Sequence, residues 1–188
     1  YGGTQRSLPL RQWKKIQEMP RGITHDMKLE SALQFTEMLN TFRQVERVLY
    51  ANGTDRFEND TEHSYNLAML AWHIVTAEKL SLDLSRILEY ALVHDLVEAY
   101  AGDTYVYSDD KDHLGSKEAR EHEALKKLRE KFPANESIFA VIERYEKRED
   151  AESRFVYALD KVQPVLQTYL DHGRIWKEKK ITFDMLFE

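Results

Sequence analysis

Residues that interrupt helices are scarce in this chain, and this scarcity restricts its fold more than any other feature. Seven glycines and four prolines occur among 188 residues, too few for the tight turns that connect many short strands. Apolar residues instead recur at intervals of three and four, and no stretch alternates like a strand that leads into a hairpin turn. The sequence therefore predicts an all-α fold.

Helix boundaries follow from this spacing and from capping residues. Asp26 and Thr61 are predicted N-caps of two helices, and Ser81 or Asp83 is the cap of another that ends at Gly102. From the spacing we expect further helix bounds at about 10–19, 28–47, 117–132, 137–147 and 151–171.

The chain length suits a single folded domain, which we place at residues 27–172. We expect residues 1–26 to be partly a processed or added end and partly a short helix. We expect residues 173–188 to form a tail that packs on the domain.

Composition excludes several classes of function. The chain has no cysteine, so it has no disulfide framework and no thiolate nucleophile or metal ligand. Its formal net charge of −6 argues against binding to a nucleic-acid polymer. No stretch approaches the roughly 20 apolar residues that span a bilayer, so we expect no membrane partner. The lack of cysteine and of a signal segment fits a cytoplasmic protein.

Two histidines occupy positions at which the helical spacing predicts apolar residues. His63 lies four residues before Leu67 and seven before Leu70, so it belongs to the buried face at the start of its helix. His94 lies three residues after Ala91 and extends the inner face of the next helix. Both imidazoles are therefore expected to point toward the core.

Carboxylates accompany these histidines. Asp95 follows His94 directly, Glu98 lies one turn later on the same predicted helix, and Asp103 can fold back over the site. Asp160 interrupts a later apolar helix, and Pro164, four residues on, lets that helix bend so that the carboxylate leans inward.

Together these side chains are the donors of a divalent-metal site. Two neutral imidazoles and two carboxylates, from His63, His94, Asp95 and Asp160, balance one such ion. Buried without an ion, the carboxylates would repel each other at high cost. The mixed donors favour manganese, cobalt, iron, nickel or zinc over magnesium. Surface or packing positions are expected for His25, His73, His113, His122 and His172.

Two other metal architectures do not fit. A four-helix di-iron protein needs repeated Glu-x-x-His motifs, which this sequence lacks. A zincin needs His-Glu-x-x-His, and here His122-Glu123 is followed by Ala-Leu-Lys. We expect one metal ion, held by residues from separate helices, because the polar helix around His122 favours a solvated surface over a second metal site.

The order His63, His94-Asp95, Asp160 resembles the HD-domain metal-dependent phosphohydrolases. The surrounding segments Glu-His-Ser, Leu-Val-His-Asp-Leu-Val-Glu, Gly-Asp-Thr and Ala-Leu-Asp-Lys are similar too, and the resemblance covers residues 29–170. The chain resembles most the compact branch with bacterial 5′-deoxynucleotidases and a related eukaryotic domain. This resemblance implies a single-domain helical bundle with the metal between inner helices, and a homodimer.

The resemblance also implies roles for individual residues. The four residues named above are the implied metal ligands, and Glu98 and Asp103 are acids that orient or activate water, with Asp103 also contacting substrate. Arg47 is the best match for an arginine that binds the substrate phosphate, with Arg43 and Arg56 in reserve. Val48 stands where the nucleotidase branch has a tryptophan that selects deoxyribose.

The implied activity is hydrolysis of the phosphate monoester of a nucleoside 5′-monophosphate, with deoxynucleotides favoured. Two alternatives stay open at this point. One is a nucleoside triphosphate or other nucleotide phosphohydrolase on the same site, and the other is a nucleotide-binding module without turnover. Retention of all six acidic and histidine residues favours an enzyme. The preferred base, the sugar and the native metal stay open.

Overall fold

In the computed structural model, residues 29–108 and 110–186 are described. The predicted helix at 10–19 and the predicted cap Asp26 lie outside them. The helices are α1 Leu29–Phe42, α2 Asp60–Ala77, α3 Leu84–Val93, α4 Glu98–Ala101, α5 Lys111–Gly115, α6 Lys117–Lys131, α7 Glu136–Lys147, α8 Ala151–Leu170 and α9 Arg174–Lys179. Short 3₁₀ turns occupy Pro133–Asn135 and Asp184–Leu186. The all-α class is confirmed.

The predicted helix over 28–47 is wrong in its last five residues, because the helix ends at Phe42. After α1 ends, Glu46–Tyr50 forms strand β1, which pairs antiparallel with β2, Phe57–Asn59. Burial of Leu49 on β1 and Glu58 on β2 ties this hairpin to the rest of the protein. This tertiary contact overrides the helical spacing of the sequence.

The hairpin also sets where α2 begins. Asn59, not the predicted Thr61, is the N-cap, and it forms a capping box with Glu62. The Asn59 side chain accepts from the Glu62 amide at 3.1 Å, and the Glu62 carboxylate accepts from the Asn59 amide at 3.2 Å. The end of β2 therefore leads directly into α2 and fixes the position of His63 in its first turn.

The predicted continuous helix from Asp83 to Gly102 is interrupted. Asp83 does cap α3, and Gly102, with φ of +75°, does end α4. Between the two helices, residues 94–97 form a turn closed by short-range backbone bonds, such as the Glu98 amide to the Asp95 carbonyl at 2.8 Å. Leu96 and Val97 in this turn and Glu98 at the start of α4 are all buried.

Of the described residues, those at 38–108 and 110–186 belong to one compact unit, which holds every side chain that the site below contains. Its core lies between α2, α3, α7 and α8, and includes Leu67, Ile87, Tyr90 and Val156. Helix α9 contacts α8 and β1. The proposed domain limits at residues 27 and 172 stay predictions. Among the described residues, none of the helices combines the length and apolarity that crossing a membrane requires.

Candidate metal centre

Two buried histidines hold their rings in one orientation. Nδ1 of His63 lies 3.2 Å from Oε1 of Gln163, and Nδ1 of His94 lies 3.1 Å from the carbonyl oxygen of Ala91. Because both oxygens only accept hydrogen bonds, each Nδ1 must be the donor. Each Nε2 is therefore the ring atom available to a cation, an arrangement that is usual for metal-binding histidines.

Two carboxylates face these Nε2 atoms. Oδ1 of Asp160 lies 3.0 Å from Nε2 of His63 and 3.6 Å from Nε2 of His94. Oδ2 of Asp95 lies 3.0 Å from Nε2 of His94 and 3.7 Å from Nε2 of His63. One donor atom from each of the four residues lies within 4.8 Å of all the others. The fold thus brings together the four residues that the sequence singled out.

The residues present fit a divalent ion. Nε2 of His94 is buried and has no well-directed hydrogen bond, although Asp95 is close. A buried polar atom without a partner is costly, and a cation among the four donors would supply one. Two imidazole nitrogens and two carboxylate oxygens also suit a divalent transition metal.

The acids and imidazoles of this cluster shift one another's pKa values strongly. Burial by itself raises the pKa of Asp95 and Asp160, but the neighbouring imidazoles lower both well below the usual range. Burial lowers the pKa of His94, but Asp95 and Asp160 more than reverse this and raise it to about 10. In the ion-free protein, a protonated His94 therefore supplies the positive charge that the two carboxylates require.

Arg47 reaches the same cluster from β1, not from the helix end where the sequence prediction put it. Its Nη1 donates to Oδ2 of Asp95 at 2.9 Å and to Oδ1 of Asp60 at 3.3 Å. Burial lowers the pKa of Arg47, but the surrounding carboxylates, Asp95 first, raise it above its usual value. Of the two reserve arginines, Arg43 is exposed and Arg56 is bound to Glu62 at the surface.

A second pair of acids, Asp60 and Glu98, borders the cluster. Both side chains are buried, and Oδ2 of Asp60 and Oε2 of Glu98 have no hydrogen-bond partner. Carboxylate oxygens of Asp60, Asp95 and Glu98 lie within 4.8 Å of one another. Burial, followed by repulsion from Asp95, raises the pKa of Asp60 to about 7 and that of Glu98 to about 11. Glu98 is thus a neutral acid in the ion-free protein at neutral pH.

Beside these residues lies a cavity of about 270 Å³. Arg47, Asp103 and Asp160 line one part of it. Asp103 lies in the loop that follows Gly102, and burial raises its pKa. The cavity therefore joins the candidate metal centre to a space in which a small molecule can bind.

Three residues near the centre were not singled out by the sequence. Gln163 orients His63, and Lys161 donates to Oδ2 of Asp160 at 2.7 Å. Gln163 follows Asp160 by three residues, so helical spacing carried a signal for it. Asp60 had no such signal, because its place depends on how the hairpin leads into α2.

The remaining histidines lie apart from the cluster. His73, His122 and His172 are exposed, as predicted, and His113 is half-buried on α5. His25 lies outside the described residues. These positions agree with their expected surface or packing roles.

Comparison with known proteins gives a family and several relatives. The profile of the HD domain family matches residues 39–188. The human protein named 5′-deoxynucleotidase HDDC2 is 31% identical over 141 residues, which are 73% of this chain and 66% of that protein. The yeast (Saccharomyces cerevisiae) protein named 5′-deoxynucleotidase YGK1 is 28% identical over 169 residues, 84% of this chain and 75% of that protein. This chain thus spans just under two thirds of the length of the human relative.

Two solved structures have folds similar to that of this chain. A protein of Magnetospirillum magnetotacticum MS-1, described as a predicted metal-dependent phosphohydrolase, has a TM-score of 0.72 and 30% sequence identity. The match covers 85% of this chain and 80% of that one. A protein of Pyrococcus horikoshii OT3, with a TM-score of 0.58 and 21% identity over 85% of this chain and 96% of that one, shares the fold.

Proposed function

The chain belongs to the HD domain family, and from that premise we propose that it is a metal-dependent phosphohydrolase acting on nucleoside 5′-monophosphates, with deoxynucleotides favoured. One observation carries the proposal. Asp160 of the His63, His94, Asp95 and Asp160 cluster lines a cavity whose lining also includes Arg47 and Asp103. We infer from this that a cation site, an anion-binding guanidinium and an acid share one space.

The names of the relatives support the nucleotide as substrate class. Both the human and the yeast relatives carry the name 5′-deoxynucleotidase. The bacterial structural neighbour is described as a metal-dependent phosphohydrolase, which agrees in the chemistry and leaves the substrate open. The cavity volume of about 270 Å³ is near the lower end of pockets that enclose small ligands.

His63, His94, Asp95 and Asp160 are the residues that would hold the ion. When bound, a divalent ion acts as a Lewis acid on a phosphoryl oxygen and acidifies water. The nitrogen and oxygen donors favour manganese, cobalt, iron, nickel or zinc over magnesium. The Nδ1 atoms of the two rings donate to Gln163 and to the Ala91 carbonyl, and these bonds keep both Nε2 atoms aimed at the ion position.

Arg47 is the proposed phosphate-binding residue. It is largely buried, permanently charged and held at the cavity by Asp95 and Asp60. A guanidinium has more donors than these two contacts use, so it can bind phosphate oxygens while it stays anchored. Because negative charge spreads over those oxygens during phosphoryl transfer, Arg47 stabilises the transition state as well as the bound substrate.

Glu98 and Asp103 are the proposed acids of the reaction. Glu98 lies beside Asp95 and carries a proton at neutral pH when the ion is absent. It can orient the attacking water or exchange a proton with it. Asp103 lines the same cavity as Arg47 and is proposed to contact the substrate.

The decisive experiment is phosphate release from a panel of nucleotides with and without Mn²⁺ or Co²⁺. We expect phosphate and nucleoside from 5′-monophosphates, with activity lost after chelation and restored by the ion. Tripolyphosphate from a nucleoside triphosphate would instead show a triphosphohydrolase. Nucleotide binding without product, in a protein that retains the ion, would show a regulatory module and overturn the proposed activity.

A further inference from the structure

The cavity beside the metal centre has a lining of two chemical kinds. Its charged lining includes Arg47, Asp103 and Asp160. Its aromatic lining consists of the rings of Tyr105, Tyr107 and Trp176. In the proposed function Arg47 binds the phosphate, so the leaving nucleoside has the aromatic lining of the same cavity available to it.

The aromatic lining comes from two separate segments of the chain. Tyr105 and Tyr107 belong to the loop after α4, and their ring centroids are 5.6 Å apart with the planes at 73°. Both are only partly buried, as is Trp176 on α9. Large aromatic rings that stay partly open along a cavity offer π faces to a ligand.

Trp176 is held in place by the anchoring of α9. The neighbouring Ile175 is almost fully buried, at 3% exposure. The Arg174 guanidinium donates to Asp171 and to Asp55, each at 2.8 Å, and lies 3.6 Å from the ring centroid of Tyr50. These contacts tie the start of α9 to the hairpin, so that its tryptophan is positioned before a ligand arrives.

We propose that the aromatic lining binds the nucleobase of the leaving nucleoside and that Trp176 is the main residue on which the base stacks, an inference that rests on the proposed function. Stacking on an aromatic ring tolerates any base, because every base has a π face. The charged lining residue Lys161 already donates to Asp160. We therefore expect recognition of a base as an uncharged aromatic group, with purines bound more tightly than pyrimidines.

The test compares two phosphate esters that differ only in the base. Trp176→Leu keeps apolar bulk and removes the π face, whereas Trp176→Phe restores a ring. Trp72→Leu, at an exposed tryptophan on α2 outside the cavity, is the matched control. Deoxyadenosine 5′-monophosphate carries a base, and 2-deoxyribose 5-phosphate does not.

We expect Trp176→Leu to raise KM for the nucleotide about 10-fold and to leave kcat/KM for the sugar phosphate within about 2-fold. Trp176→Phe should recover most of the loss, and Trp72→Leu should behave as wild type. An equal loss on both substrates would show that Trp176 only supports the fold. Unchanged KM for the nucleotide would show that the base does not contact it, and either result overturns the inference.

A binding measurement separates this inference from the proposed activity. Deoxyadenosine, which has no phosphate, should quench tryptophan fluorescence in wild type and Trp72→Leu, and not in Trp176→Leu. Absence of that quenching in wild type overturns the base site even if nucleotides are hydrolysed. Quenching without any hydrolysis supports the base site and contradicts the phosphohydrolase activity.

Discussion

Two pairs of acids lie side by side in this protein, and their pKa values are shifted in opposite directions. Asp95 and Asp160 face two imidazoles, and their pKa values are lowered. Asp60 and Glu98 face mainly other carboxylates, and theirs are raised to about 7 and about 11. Burial raises the pKa in every case, so the neighbouring charge decides the outcome.

This difference in pKa gives the two pairs different roles in the proposed site. We propose that the ionised pair, Asp95 and Asp160, binds a cation together with its imidazoles, because two carboxylates and two ring nitrogens converge on one point. Asp60 and Glu98, whose pKa values are raised and which we call the raised pair, hold protons near neutral pH. This suits them to donate or accept a proton. The predictions below change one member at a time, so that each pair should fail in its own way.

The largest effect is expected from the ionised pair. Asp95→Ala removes one donor and the main partner of Arg47, so hydrolysis should fall by about 1,000-fold or more, together with metal retention. Phosphate release and metal content by mass spectrometry measure this. Asp112→Ala, at an exposed aspartate of α5, is the control for loss of a surface charge. Near-normal turnover and metal content in Asp95→Ala would show that Asp95 is not a ligand.

The raised pair should fail differently. Glu98→Gln keeps the shape of a neutral acid and cannot transfer a proton, so kcat should fall about 100-fold while metal content stays intact. Steady-state kinetics with parallel metal analysis distinguishes the two losses. If the variant loses the metal and the rate per bound ion is unchanged, Glu98 is a ligand and belongs with the ionised pair.

Metal binding should depend on pH through His94. Its pKa of about 10 in the ion-free protein means that Nε2 must release a proton before it can bind a cation. Affinity for Mn²⁺ should therefore rise about 10-fold per pH unit between pH 6 and 8, because one proton is displaced. Calorimetry in buffers of different ionisation enthalpy measures the released proton. An affinity independent of pH would contradict this exchange of proton for metal.

The smallest effect concerns the stability of the ion-free protein. The pKa of Asp60 is raised to about 7 on folding, so the folded state loses stability as pH rises from about 4 to about 7. Asp60→Asn cannot ionise, and its Tm should exceed that of wild type by about 2–8 °C at pH 8. The difference should vanish near pH 4. If Asp60→Asn and wild type have equal Tm values at both pH 4 and pH 8, the ionised carboxylate of Asp60 is not destabilised by its neighbours.

The ionised pair and its histidines were predictable from sequence, whereas much of their surroundings was not. Helical spacing places His63, His94 and Asp160 on inner faces, because the period of a helix reveals which side is buried. The neighbours of Asp60 and Arg47 depend on the hairpin, whose strands of five and three residues are too short for a clear alternating pattern. The turn at residues 94–97 was hidden for a similar reason, since its apolar residues continue the spacing of α3.

The cavity wall was the least predictable part. Its rings come from the loop after α4 and from α9, a six-residue helix anchored by contacts distant in sequence. Neither segment has a period that a sequence pattern can reveal. Each residue of the candidate metal centre therefore has a local signal in the sequence, whereas the rings of the cavity wall are brought together only by tertiary contacts.

The most direct test of the central claim is an anomalous difference map from crystals of the protein grown with Mn²⁺. We predict a peak at about 2.0–2.3 Å from Nε2 of His63, Nε2 of His94, Oδ2 of Asp95 and Oδ1 of Asp160, the range of metal bonds to nitrogen and oxygen. A peak at another position, with no density among these four atoms, would contradict the account.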